Sequence, residues 1–304
     1  MSVLLAPDEP TVVRTGPVDA SVPPGLAREP IRLGVSQALL ALALVAVWLV
    51  VYLTVLSGFE QGHAQKGLYD RVRTELALGT APMSAGAPAG TPIAVLDVPA
   101  LGISNLVVVE GTRAEQTADG PGHLLGSVLP GQQGVSVLMG RSLAFGAPFA
   151  DLPRLRVGDR ILVTTGQGRF TYTVNGVRRR GDPVPAALQA KEGRLSLVTA
   201  AGDGRFGALA PGDTVYVDAV LADAAPAGVV GTRDPVSPME VHVSAGTLAE
   251  LALALQLLLG ALVATVWAWQ RWSHRGAWIA GAPVVLAAAW LCSSLASQFL
   301  PALV

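Results

Sequence analysis

Apolar positions fall along this chain in two distinct patterns. Three stretches, 34–57, 247–269 and 276–300, are apolar almost without interruption. Each has the ~20 residues that a helix needs to cross a hydrocarbon core, which predicts three transmembrane helices. The first is longer than the ~7–15 apolar residues of a cleaved signal peptide. The junction of the last two carries Trp267, Trp269, Trp272 and Trp278, a residue that favours the headgroup boundary. Between the first and second stretches the pattern shortens. Residues 59–78 place Leu68, Val72 and Leu76 on one helical face, predicting a helix that continues outward from the first span. From residue 92 the chain reads as short apolar strands separated by Gly, Pro and Asp, at 93–98, 106–109, 135–138, 160–165, 170–177, 195–199 and 214–221. Short strands at this spacing predict an all-β barrel or sandwich.

The expected organisation is a disordered tail over 1–33, a span over 34–57, a helical stalk and flexible linker over 58–91, a β-barrel over 92–221, and a linker over 222–246. A second span over 247–269, a turn over 270–275 and a third span over 276–300 complete it. Basic residues orient these spans. Arg28 and Arg32 precede the first, and Arg271 and Arg275 lie between the last two. The positive-inside bias therefore predicts a cytoplasmic N-terminus, a cytoplasmic turn and an extracytoplasmic barrel in a multi-pass plasma-membrane protein.

A net charge of −1 offers no electrostatic case for nucleic acid, so the partners expected are the membrane and other envelope components. The single cysteine, Cys292, sits inside the third apolar stretch, so the barrel is expected to hold no disulfide. His63, His123, His242 and His274 are scattered without metal-ligand spacing, and no nucleotide-binding or hydrolase motif is present; neither metal nor cofactor is expected. Arg178, Arg179 and Arg180 read as a solvated hairpin tip that could meet anionic polymer, lipid or a partner protein. Abundant Ala, Gly and Pro with few lysines suggest an actinobacterial-like genome.

Several strings then occur in a telling order. Residues 93–99 precede Ala100-Leu101-Gly102-Ile103; Val109-Glu110-Gly111-Thr112 and Gly120-Pro121-Gly122-His123 follow; then come Pro130-Gly131, Gly140-Arg141-Ser142, Pro148-Phe149, Gly158-Asp159, Tyr172-Thr173-Val174 and Leu195 to Ala200. Together they resemble the sortase family, membrane-anchored cysteine transpeptidases of Gram-positive envelopes, in a class E-like form. The resemblance implies an eight-stranded barrel and a site of three side chains: a cysteine that attacks a sorting signal, a histidine that protonates the leaving amine, and an arginine that steadies the oxyanion. Those roles need a nucleophilic lone pair, a proton shuttle near neutral pH and fixed positive charge. By the same resemblance, Arg141 stands at the histidine's place, Ala200 at the cysteine's and Thr214 at the arginine's.

The reading expected from these residues is a membrane-anchored sortase-fold pseudoenzyme, a binding or assembly module for an envelope protein or a sorting-signal-like peptide. Its groove would be lined by His123, Arg141, Ser142, Thr199, Ala200 and Arg205, with Arg141 free to pair with a ligand carboxylate. Two alternatives compete. One is an active transpeptidase or hydrolase using Ser142 or Thr199, activated by His123, against the simpler expectation that His123 caps loop backbone and both hydroxyls serve local turns. The other is a structural subunit that interacts through its spans, where Ser293/Ser297 and Ser294/Gln298 form polar i,i+4 pairs.

Overall fold

The computed structural model describes residues 43–202, 213–228, 245–271, 274–299 and 303. The expected tail over 1–33 and Arg205 lie outside these residues. Three helices are long and apolar enough to cross a membrane: Ala43–Leu78, Gly246–Arg271 and Arg275–Ser297. The first is α1. A short helix, Ala114–Asp119, is α2; Ala245–Arg271 and His274–Ser297 are α3 and α4.

α1 contains one π-helical turn, Tyr52–Leu56. Beyond it the helix leaves the apolar pattern and becomes amphipathic, with Val72 buried against Val95 and Val107 and with Leu68, Tyr69 and Leu76 packed around them. The helix stops at Gly79, whose φ of 68° lets its N–H turn back to the carbonyls of Glu75 and Leu76. An L-residue adopts that conformation only at a cost, so glycine sets the stop.

Eight strands follow: β1 Pro92–Val98, β2 Ile103–Glu110, β3 Gly122–His123, β4 Gly134–Met139, β5 Arg160–Thr165, β6 Gly168–Arg179, β7 Gly193–Ala201 and β8 Asp213–Leu221. They close into a barrel in the order β1-β2-β3-β4-β7-β8-β6-β5. Closure removes the sheet edges that would otherwise expose unpaired backbone groups. β2 pairs with β3, and β4 with β7, in parallel; the remaining neighbours are antiparallel. Alternate residues fill the interior, among them Leu96, Val108, Leu138, Phe149, Ile161, Tyr172, Leu197 and Val217. Only β3 has no counterpart among the strands expected from sequence.

The described residues of both segments expected to be linkers, 79–91 and 222–228, are held against the barrel. The Met83 carbonyl accepts the side-chain amides of Gln132 at 2.9 Å and Gln167 at 3.2 Å, and Ala85 joins the barrel core. Beside it the Ala225 N–H donates to Gly131 O at 2.8 Å, the Gln133 N–H donates to Ala225 O at 2.8 Å, and the Gly228 N–H donates to the same Gln132 side chain at 3.2 Å. Small, polar composition suggested freedom, but satisfied backbone groups anchor both segments. The arginine run also differs from expectation. Arg178 and Arg179 belong to β6; the Arg178 Nε donates to Asp218 at 2.7 Å, its guanidinium lies 4.1 Å from the Tyr216 ring centre, and Arg179 pairs with Asp213 at 3.5 Å. The run is braced along β8 rather than standing free at a tip.

Candidate binding cleft

The strand register decides which side chains meet. Leu195, Leu197 and Thr199 lie opposite Ala219, Val217 and Val215, and this set faces the interior. The alternate set, Ser196, Val198 and Ala200, lies opposite Asp218, Tyr216 and Thr214 and faces outward. A cleft of about 360 Å³ opens on this outer face, with Val137 and Met139 of β4 on one side and Arg178 and Arg180 on the other. Ala200 and Val198 cluster with Leu303, flanked by Met139 and Tyr216. The cleft is thus apolar at its floor and basic along one rim.

Thr199, expected to line the groove, points the other way: it is buried, and its hydroxyl donates to Gly140 O at 2.9 Å. The strand's two-residue period puts Thr199 and Ala200 on opposite faces. Thr214 stands beside Ala200 as its register partner, with its hydroxyl at 3.5 Å from an Arg180 guanidinium nitrogen.

Arg141 follows β4 directly, one residue past the Gly140 N–H that donates to Val198 O at 3.0 Å. Its exposure is 0%. The Nη2 donates to the Ala114 carbonyl of α2 at 2.9 Å, and the guanidinium lies 4.7 Å from the Phe145 ring centre. Burial pulls its pKa down to about 10, and the nearby Tyr52 phenol works in the opposite direction. The group is still charged at neutral pH but turned into protein, so it does not present its charge to a ligand carboxylate as expected. The loop it begins is strained: Phe145 and Ala147 have φ of 52° and 45°. Contacts hold that strain in place, since the Phe145 N–H donates to Ser57 Oγ of α1 at 2.8 Å and its ring packs with Tyr52 and Leu53.

His123 is not in the cleft. It is fully buried on β3, with Nδ1 3.1–3.2 Å from both Glu110 carboxylate oxygens. Its Nε2 sits 2.9 Å from Val128 O and 2.9 Å from Ser127 Oγ. Ser127, His123 and Glu110 therefore have the spacing of a nucleophile–base–acid triad, which no sequence motif marked. Neighbouring carbonyls compete with that role. In the tautomer that protonates Nε2 toward Val128 O, a group that only accepts, no lone pair is left for Ser127. The Ser127 hydroxyl donates to Leu124 O at 2.8 Å. The arrangement locks β3 to β2, and His123 activates neither Ser142 nor Thr199. The expected loop-capping role is met in part, through Val128.

Ser142 meets the cleft through Leu303, which lines it. Both its N–H and its hydroxyl donate to Leu303 O, at 3.1 and 3.2 Å. Among the described residues, no group of three or more His, Cys, Asp or Glu could hold a metal ion.

This architecture is a closed β-barrel with a shallow outer cleft, carried on helices able to span a membrane. The sortase domain family model matches residues 96–203. Similar solved structures include sortase E from Streptomyces avermitilis, with 30% identity over 44% of this chain and 89% of that chain, at a TM-score of 0.36. A point mutant of that sortase E gives 33% identity over the same shares, also at a TM-score of 0.36. A sortase D5 transpeptidase from Clostridium perfringens gives 21% identity over 52% of this chain and 98% of that chain, at a TM-score of 0.42. No curated protein matches. The family match identifies residues 96–203, most of the barrel, as a sortase domain.

Proposed function

We propose that this chain is a class E-like sortase-fold pseudoenzyme, anchored in the plasma membrane, whose extracytoplasmic barrel binds a peptide or envelope protein without making or breaking bonds. The observation that carries this reading is Ala200: at the position that the resemblance gives to the cysteine, a methyl group packs against Val198 and Leu303 beside the cleft. A methyl group has no lone pair and cannot form an acyl intermediate. The two residues beside it do not restore the chemistry. Arg141 is a donor only and cannot serve as a general base. Thr214 is uncharged and offers an oxyanion no fixed positive charge.

The competing enzyme reading needs a replacement nucleophile, and the hydroxyls available are engaged: Thr199 with Gly140 O and Ser142 with Leu303 O. The reading as a structural subunit acting through its spans is weakened by Ser293, which accepts the Trp48 indole N–H at 3.0 Å within the chain.

Connection parity supports this topology. α1 leads into the barrel, α3 leaves it, and Leu303, beyond α4, returns to it. Three crossings satisfy that arrangement with the barrel on one side and the turn after Arg271 on the other. In a Cys292→Ser background, a Ser273→Cys variant should resist membrane-impermeant thiol reagents in intact cells; strong labelling would refute the topology. Binding is tested with the purified full chain and a fluorescent sorting-signal-like peptide. Saturable binding, lost in an Ala200→Trp variant and with the peptide recovered uncut, is the expected outcome. Equal binding by the variant would refute the cleft as the binding site.

A further inference from the structure

Leu303 lines the cleft and covers its Ala200 end. Its exposure is 1%, and it packs on Val198 and Ala200, the outward-facing pair of β7. Its backbone is held as well, since the Ser142 N–H and hydroxyl converge on its carbonyl oxygen. One side chain seated on an apolar floor and one carbonyl met by two donors are the elements of a peptide-binding subsite. The residue that fills it follows α4 by only a few positions, so occupancy is intramolecular and strongly favoured by effective concentration.

We propose that the Ala200 end of the cleft is a subsite closed by this chain's own Leu303. Leu303 covers Ala200, and a second peptide reaches that end of the cleft only by displacing it. This cover also couples barrel and membrane. Ser142 lies at the start of the strained loop whose Phe145 packs on Tyr52, and the Tyr52 ring meets Trp290 of α4 edge-on at 6.0 Å. A shift of α4 relative to α1 would bear on both attachments of that loop. The affinity of an external peptide is then scaled by the fraction of chains whose cleft is open. This competition rests on the reading of the cleft as a binding site; the occupancy itself does not.

The test uses the full chain in lipid nanodiscs, in a Cys292→Ser background, with Ala200→Cys as a reporter and a maleimide as the probe. Alkylation should be slow with Leu303 present and accelerate at least about tenfold in Leu303→Asp. A second reporter, Leu197→Cys, faces the barrel interior and separates local release from unfolding; its rate should not change. Equal rates at the Ala200 position with and without Leu303 would overturn the proposal. So would acceleration at both reporters, because Leu303 would then hold the barrel together rather than cover one cleft. Peptide cleavage by the parent chain would refute catalytic silence while leaving this protection intact, so the two failures are distinguishable.

Discussion

Ala200 on β7 is the register partner of Thr214 on β8, and the two side chains lie side by side on the outer face of the barrel. Ser196 and Asp218 repeat the pairing lower down, joined by a short hydrogen bond, and Asp218 also receives Arg178. The cleft therefore grades from a small, uncharged end at Ala200 and Thr214 to an ion-paired end at Asp218.

The buried His123–Glu110 pair makes a sharp stability prediction. His123→Ala leaves a carboxylate without its partner inside the barrel wall and should cost about 3–5 kcal/mol, read as a fall in denaturation midpoint. A double replacement of His123 and Glu110 by leucine removes both desolvated groups and should recover much of that loss. A His123→Ala variant as stable as the parent would show that the pair is not the lock described.

Gly122 tests barrel closure. A Cβ built there lies 2.1 Å from the Gly111 carbonyl oxygen, a backbone atom that cannot move without shifting β2. Gly122→Ala should destabilise the barrel by about 2–4 kcal/mol. Gly176→Ala is the control. A Cβ at that position meets nothing within 4 Å, and the change should cost less than about 1 kcal/mol. Equal effects at both glycines would contradict the close approach of β2 and β3.

Alkaline stability depends on two buried groups of opposite sign. Burial pushes Tyr172 up to about 12, partly countered by the Gly131 N–H that donates to its oxygen at 2.6 Å. The folded state thus holds that proton more tightly than the unfolded chain, and stability is lost as pH rises from about 10 toward 12. Arg141 titrates near 10 when folded and higher when unfolded, so its contribution grows over the same interval. The difference between parent and Tyr172→Phe isolates the phenol. Urea midpoints should converge as pH rises from about 9 to about 11, and midpoints that stay parallel would contradict the assignment.

The barrel is legible in sequence because its strands alternate apolar and polar residues, and the stalk because Leu68, Val72 and Leu76 repeat every four positions. Other features carry no such signal. β3 contains only Gly122 and His123, too short for any period. Thr199 reads as a groove residue through its neighbour Ala200, although a strand sends successive residues to opposite faces. Arg141 reads as an exposed charge because sequence does not reveal that α2 presents the Ala114 carbonyl to it. Ser127 and Glu110 join His123 across two strands and a turn, and Leu303 reaches the cleft from beyond the last span. The first depends on the pairing of β3 with β2, and the second spans 161 positions, so neither leaves a periodic signal in the sequence.

The central claim is catalytic silence, and turnover measures it most directly. The purified full chain would be incubated with a library of sorting-signal peptides and an amine acceptor, then followed by intact-protein mass and by peptide chromatography. The account predicts an unmodified chain and no cleavage or transpeptidation product above buffer. A covalent acyl adduct, or product formation that Ser142→Ala or Thr199→Ala abolishes, would contradict it.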